Sequence, residues 1–316
     1  MSREYRNNFL KETEDKLVIL LYHGVTSHKN KGICNRQGKH IPSEEFRRQM
    51  EFIKNNCYPL SIDEWIEIRE SSSIPKNPVV ISFDDGFENN FTTALPILEA
   101  LQIPAIFYIS SGMIGTKKMF WVDTLEDLIN RTKLELITMK LDKEIQFSLK
   151  TEDEKFLALL NIKAFCKKES NKTKNRVIDE LIEQTKIEPS CNNPNYPSMN
   201  WNQLIELDKK NLFTVGGHSL NHSILSALSD DELNEEISKS LEILDNKLNH
   251  QIEHYSYPEG QEIHYNQNVI DILKMKGILC SPSAINGINN YQDDLFHLKR
   301  IMVGFDGIKF PYDEDL

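Results

Sequence analysis

Residues 79–86 read Val-Val-Ile-Ser-Phe-Asp-Asp-Gly, a short β-branched apolar run that ends in two adjacent carboxylates and a glycine. Such a run is typical of a strand that is buried on both faces, as in a parallel sheet. Carboxylates held close together repel each other and resist joint ionisation, so a strand seldom ends in such a pair without a compensating cation. The stretch therefore predicts a buried strand with a functional site at its end.

A second stretch supplies ligands for that cation. Residues 212–222 read Leu-Phe-Thr-Val-Gly-Gly-His-Ser-Leu-Asn-His, so His218 and His222 are four residues apart. On a helix, or on a tight turn from a loop into a helix, this spacing brings both imidazoles to one side. A metalloprotease helix of the zincin type is excluded, because Ser219 stands where that motif needs a glutamate. Two histidines and one carboxylate make a site that suits Zn²⁺, and also Fe²⁺, Co²⁺ or Ni²⁺.

The composition is that of a globular chain of 316 residues with a formal net charge of −11. This charge disfavours nucleic acid and anionic membrane surfaces as partners, since both favour a basic face. The five cysteines are scattered, which fits a reducing compartment and argues against a cysteine-type zinc site. The first residues are polar, and the apolar run 17–21 is too short for a signal sequence or a membrane span. We therefore expect a cytoplasmic protein without a membrane span.

Buried strands alternate with amphipathic helices, which is typical of parallel α/β architecture. Strands are predicted at residues 17–22, 79–83, 105–109, 212–215, 253–256, 278–280 and 297–301. Helices are predicted from Ser43, after a cap at Ser61, at about 87–101 with a kink at Pro96, at 231–248 and at 266–276. Polar residues stand directly after several strands, namely His23, Asp84 with Asp85, His218, and the segment 257–260. In parallel α/β barrels these carboxyl ends converge on the face where active sites form.

The pattern changes between about residues 112 and 200, which are rich in Lys, Glu and Leu with helical periodicity. Helices are expected at 121–129, 152–165 and 177–187. We interpret this segment as a mostly helical insertion in a single domain that covers residues 1–316, and not as a separate catalytic domain.

Each motif alone has a simpler explanation. An Asp-Asp-Gly after a strand is more often a capped turn, and His23 or Arg300 alone would be a structural histidine or an ion-pair residue. Their joint occurrence at strand ends favours a site. Together, Phe83-Asp84-Asp85-Gly86, the His218 to His222 stretch and Tyr255-Ser256-Tyr257-Pro258-Glu259-Gly260 resemble the polysaccharide deacetylases of carbohydrate esterase family four. The resemblance covers about residues 17–109 and 201–301.

This resemblance implies a distorted (β/α)₇ barrel that hydrolyses N-acetyl groups of amino sugars. It implies that Asp84 is the catalytic base and that Asp85, His218 and His222 hold a divalent metal, most simply Zn²⁺. It also implies that Tyr257, Pro258 and Glu259 line the substrate groove, with the Tyr257 N–H helping to stabilise the oxyanion.

The chain departs from the family pattern in two places. Many members hold the base with an arginine at the start of the Tyr-Pro stretch, where this chain has Glu253 and His254, so Arg300 is expected to take that role. Many also carry a later Leu-x-x-His element whose histidine protonates the leaving amine. Residues 21–25, Leu-Tyr-His-Gly-Val, resemble a variant on the first strand, so His23 is the expected general acid and His297 its rival.

The predicted function is removal of an N-acetyl group from an amino sugar in a bacterial-type surface glycan or its precursor. The expected cytoplasmic location favours a nucleotide- or lipid-linked precursor over a finished polymer. Two alternatives stay open from sequence. One is an N-deformylase or another linear amide hydrolase on the same fold. The other is a catalytically silent metal- or glycan-binding module.

Overall fold

The computed structural model describes residues 3–71 and 74–312, which form two compact units. The larger unit comprises the chain up to Ser27, Gln37–Thr116, and the chain from Ser198 onward. The smaller unit comprises His28–Arg36 and Lys117–Pro197. All of the predicted site residues therefore lie in the larger unit.

The larger unit is an α/β structure. Its strands are β1 (Val18–Tyr22), β2 (Gly24–Thr26), β3 (His40–Pro42), β4 (Tyr58–Pro59), β5 (Pro78–Phe83), β6 (Ala105–Ile109), β9 (Phe213–Gly217) and β10 (Ile301–Met302). Its α-helices are α1 (Arg3–Glu12), α2 (Ser43–Asn56), α3 (Ile62–Ile68), α4 (Leu95–Leu101), α8 (Trp201–Asp208), α9 (Asp230–Leu248) and α10 (Gln267–Met275). Short 3₁₀ turns cover Leu225–Ala227, Glu262–His264 and Phe305–Gly307.

The main sheet is parallel, with strand order β10-β1-β5-β6-β9, and β4 pairs with the start of β5. Leu20 of β1 pairs with both Ile301 of β10 and Ile81 of β5. Single parallel bridges extend the ladder from Gly217 to Tyr255 and from His254 to Cys280. Strands β1, β5 and β6 are buried along their whole length, as their unbroken apolar runs predict. The fold is the predicted distorted (β/α)₇ barrel.

Three predicted strands are shorter than expected. Segments 253–256 and 278–280 contribute only single bridges, and the strand predicted at 297–301 begins at Ile301. For the last of these, the reason lies in the hydrogen bonds of the backbone before Ile301. The Leu298 carbonyl accepts from both the N–H and the hydroxyl of Ser283, and the Lys299 carbonyl accepts from Asn289 Nδ2. Side chains and an irregular loop therefore take the bonds that a strand partner would make.

Helix boundaries follow the local signals. Ser61 caps α3, because its hydroxyl accepts from the Glu64 N–H over 3.0 Å. The helix predicted at 87–101 is divided: a π-helical turn covers Asn90–Ala94, and α4 starts at Leu95. Pro96 lies in the first turn of α4, where its missing N–H costs little.

The smaller unit has its own apolar core. It contains helices α5 (Trp121–Arg131), α6 (Glu152–Cys166) and α7 (Asn171–Thr185), close to the predicted positions. It also contains an antiparallel hairpin of β7 (Leu136–Lys140) and β8 (Glu144–Ser148), which the helical interpretation did not include. Leu128, Met139 and Leu159 are fully buried in this core, which joins the hairpin to the helices.

None of the helices in the described ranges combines the length and the apolarity that crossing a membrane requires.

The close approach of β9 to its neighbour gives a test of the fold. A Cβ added at Gly217 would lie 2.6 Å from Cδ2 of the buried Tyr255 ring, which is too close for a carbon–carbon contact. We expect Gly217→Ala to lower the free energy of unfolding by about 1–3 kcal/mol, because overpacking displaces the ring. Urea titration measures this, with Glu242→Ala on the exposed face of α9 as the control. Equal midpoints for the two variants would contradict the packing described.

Candidate active site

The predicted site residues come together at the carboxyl ends of the parallel strands. Asp84 and Asp85 follow β5, and the Asp84 N–H donates to the Tyr22 carbonyl at the end of β1 over 3.0 Å. His218 follows β9, and its N–H donates to the Ile109 carbonyl at the end of β6 over 2.9 Å. The sheet ladder thus continues into the site, which fixes the backbone on which these side chains stand.

Asp85, His218 and His222 form one cluster of potential metal ligands, with all three ligand atoms within 4.8 Å of one another. Asp85 Oδ1 lies 3.6 Å from His218 Nε2 and 3.3 Å from His222 Nε2. The two histidines are not on a helix, since the chain from 218 to 224 is a loop. The spacing allows a helix or a tight turn from a loop into a helix, and the structure shows a loop that leads into the 3₁₀ turn Leu225–Ala227.

The tautomer of His218 suits metal binding. Its Nδ1 lies 2.9 Å from the Ser256 carbonyl oxygen, which can only accept, so Nδ1 carries the proton. The lone pair is therefore on Nε2, the atom that faces Asp85. Burial lowers the pKa of His218, although Asp84 acts in the opposite sense. A neutral imidazole is the form that binds a metal.

The backbone of the cluster is held in an unusual conformation. Asp85, Ser219 and His222 all have positive φ angles, of 77°, 63° and 56°. For a non-glycine residue this region costs on the order of 1–3 kcal/mol, and such residues concentrate at functional sites. The strain is consistent with a loop whose shape is set by the ligand atoms it presents.

One carboxylate and two imidazoles fit a divalent metal with positions left for water and substrate. This donor set suits Zn²⁺ and its first-row neighbours, as the sequence predicted.

Asp84 lies beside the cluster and is paired with Arg300. Both guanidinium Nη atoms donate to the carboxylate, Nη1 to Oδ1 and Nη2 to Oδ2, each over 2.8 Å. Arg300 is 1% exposed, and its Nε donates to the Ser283 carbonyl over 2.6 Å. Burial would raise the pKa of Asp84, but Arg300, together with His218 and His23, outweighs burial and lowers the pKa to about 2. Arg300 thus lies against the Asp84 carboxylate, as expected from the sequence.

Ser256 also contacts Asp84, and the sequence analysis did not single it out. Its hydroxyl donates to Asp84 Oδ1 over 3.2 Å and lies 2.8 Å from His218 Nδ1. The only signal in the sequence is its position, directly before the Tyr-Pro pair.

His23 and His297 differ in their surroundings. His23 follows β1, and its ring packs against Phe305 at 5.7 Å between centroids. Burial lowers the pKa of His23 to about 3, so the ring is neutral at pH 7. His297 is exposed and contacts the Tyr265 hydroxyl at 3.3 Å. Buried and exposed residues alternate from 296 to 300, so His297 and the buried Arg300 lie on opposite faces. The structure does not bring His297 to the site.

The Tyr257 to Gly260 loop is held by packing and hydrogen bonds. Tyr257 is fully buried, stacks on Tyr265 at 4.0 Å, and donates its hydroxyl hydrogen to the Phe296 carbonyl. Glu259 and Gly260 both have positive φ angles, and a Cβ at Gly260 would lie 2.6 Å from the Ala284 nitrogen. The Tyr257 ring is therefore an anchor for the loop. The backbone N–H of Tyr257 donates to no backbone carbonyl among the described residues.

A family model described as polysaccharide deacetylase matches residues 71–280. The poly-β-1,6-N-acetyl-D-glucosamine N-deacetylase of Escherichia coli K12 is 34% identical over 89 residues, which are 28% of this chain and 12% of that protein. The protein of the same name from Staphylococcus aureus MSSA476 is 27% identical over 128 residues, 37% of this chain and 43% of that protein. The alignments thus span less than half of these relatives.

Two solved structures share the fold over nearly their whole length. IcaB from Ammonifex degensii superposes with a TM-score of 0.60 at 16% identity, covering 92% of each chain. The Streptococcus pyogenes deacetylase PplD, solved in complex with acetate, superposes with a TM-score of 0.60 at 18% identity, covering 95% of this chain and 96% of that one.

The ligand cluster predicts the effect of removing His218. We expect a divalent metal in the purified protein and its loss in His218→Ala, because two ligands hold a metal far less tightly than three. Elemental analysis after gel filtration measures this. His250→Ala, which removes a largely exposed histidine paired with Asp208, is the matched control and should keep its metal. Equal metal content in both variants would exclude the cluster as the site.

The ion pair predicts a change in pH dependence. Arg300 lowers the pKa of Asp84, so Arg300→Met should raise that pKa and move the acid limb of kcat/KM to higher pH. The free energy of unfolding should fall by about 3–5 kcal/mol, because a buried carboxylate loses its partner. Arg300→Lys keeps the positive charge and should give a smaller shift of the limb. An acid limb that stays in place in both variants would show that Asp84 does not control it.

Proposed function

Since the chain belongs to the polysaccharide deacetylase family, we propose that it hydrolyses the N-acetyl group of an amino sugar. Asp85, His218 and His222 would hold a divalent metal, most simply Zn²⁺, and Asp84 would be the general base. One observation carries the proposal: an ionised, arginine-paired carboxylate lies directly beside a cluster of metal ligands. Asp84 Oδ2 is 3.9 Å from His218 Nε2, so the base and the ligand atoms line the same space.

The metal, when bound, would polarise the amide carbonyl and lower the pKa of a water molecule toward about 7. Asp84 is ionised at neutral pH and would accept the proton of the attacking water. Arg300 holds both oxygens of Asp84, so the carboxylate keeps one orientation. A positioned base of this kind contributes roughly 10²–10⁴-fold to the rate.

His23 is the proposed general acid. Because its imidazole is neutral at pH 7, it would donate a proton to the leaving amine only after taking one up during turnover. The proton that balances this step is the one that Asp84 would accept from the attacking water. Its transfer through His23 to the amine would leave Asp84 ionised and His23 neutral, with acetate and the free amine as products.

The Tyr257 N–H is the proposed backbone donor to the oxyanion, with Pro258 and Glu259 lining the groove. The stacked and buried Tyr257 side chain supports this, since it anchors the loop, and a donor that is positioned before reaction needs little reorganisation.

The proposed substrate is an N-acetylglucosamine-type sugar of a surface glycan or of its nucleotide- or lipid-linked precursor. The names of the Escherichia coli and Staphylococcus aureus relatives support the choice of N-acetylglucosamine as the sugar type. We further propose a cytoplasmic location, for which the five free cysteines are suitable. Fractionation of the native host with an antibody to the protein tests the location, and recovery outside the cytoplasm would contradict it.

Asp84→Asn should keep its metal and lose at least about 10²-fold in kcat, because the amide cannot accept the proton. Acetate release from N-acetylglucosamine oligomers and from a panel of sugar nucleotides is the measurement. Asp142→Asn, which changes an exposed acid in the smaller unit, is the matched control and should keep the parent's activity. Parental activity in Asp84→Asn would exclude it as the base.

The same assay separates the alternatives. Release of formate from N-formyl sugars without release of acetate would favour the deformylase. A protein that binds metal and releases no acyl group from any amino sugar would favour the silent binding module.

A further inference from the structure

Ser256 contacts both halves of the site, the base and a metal ligand. It is fully buried, and its own N–H donates to the Gly217 carbonyl over 2.9 Å, which ties it to the end of β9. Its hydroxyl lies 3.2 Å from Asp84 Oδ1 and 2.8 Å from His218 Nδ1. No other described hydroxyl has both contacts.

The direction of these hydrogen bonds follows from the donors available. Both carboxylate oxygens of Asp84 accept from Arg300, and Ser256 is the donor in its bond to Asp84, so its single hydroxyl proton points to Asp84 Oδ1. The oxygen of that hydroxyl is then free to accept, and His218 Nδ1–H is the donor next to it. The bonds therefore run in one direction, from His218 through Ser256 to Asp84.

We propose that Ser256 is a positioning residue that couples the general base to the metal ligand. Its hydroxyl and its carbonyl both receive the Nδ1–H of His218, which keeps the Nε2 lone pair directed at the metal site. The same hydroxyl holds Asp84 Oδ1 beside Arg300. Partners of this kind orient a ligating histidine and increase its basicity.

The inference rests on the proposed function, and Ser256→Ala tests it. This variant removes the hydroxyl and leaves the carbonyl bond to His218 and the Arg300 pair to Asp84 in place. Metal affinity, measured on the metal-free protein by competition with a chromophoric chelator for Zn²⁺, should fall roughly 10–100-fold. With metal saturating, kcat for acetate release should fall about tenfold while KM changes little.

Ser240→Ala is the matched control, since it removes an equally buried hydroxyl whose partner is Ser111. It should leave both quantities unchanged. Ser256→Thr restores a hydroxyl and should recover both quantities to within a few-fold; if its extra methyl prevents folding, the comparison of the two alanine variants decides. Affinity and kcat in Ser256→Ala that match Ser240→Ala would overturn the proposal.

The two readouts separate this inference from the proposed function. If the parent binds Zn²⁺ but releases no acetate, the proposed function fails and the chelator titration still decides the role of Ser256. A loss of kcat without a loss of metal affinity would overturn the coupling, because the hydroxyl would then act on Asp84 alone.

Discussion

The buried ion pair between Asp84 and Arg300 is the interaction on which the rest of the site depends. A carboxylate without a partner at this depth would protonate, because desolvation raises its pKa. The guanidinium, with His218 and His23, reverses that effect and keeps the pKa of Asp84 low. Arg300 is itself held in place, because its Nε donates to the Ser283 carbonyl and its Nη1 also to the Ser82 hydroxyl. The carboxylate in turn determines the direction of the Ser256 hydroxyl, while the Ser256 carbonyl sets the tautomer of His218.

Much of this could be predicted from the sequence. The apolar run 79–83 and the strand before His218 have the composition of fully buried strands, and parallel topology brings their ends together. The adjacent acids and the histidine pair therefore identify the ligand cluster without coordinates. The contact of Arg300 with Asp84 is the one with the weakest local signal, because the two residues are 216 positions apart in the chain.

The rest could not be predicted, for physical reasons. Strands β2 and β3 have three residues each, too few to show a periodicity. The backbone before β10 is bonded by side chains such as Asn289, and no sequence pattern records such bonds. His297 lies outside the site because it is on the exposed face of residues 296–300. Which of the two faces is buried becomes known only when the structure shows that Arg300 points inward. Ser256 likewise could not be predicted, since a serine before a Tyr-Pro pair has no distinctive spacing.

The two adjacent acids that end β5 are chemically distinct because their counter-charges differ. Asp84 is neutralised by Arg300, which is fixed in the fold. Asp85 instead lies beside the two imidazoles, 3.6 Å from His218 Nε2 and 3.3 Å from His222 Nε2. A divalent cation held by these three groups would add positive charge next to the Asp84–Arg300 pair, and positive charge stabilises negative charge that develops on an amide oxygen. The fold therefore pairs Asp84 with a permanent cation and places Asp85 among the potential metal ligands.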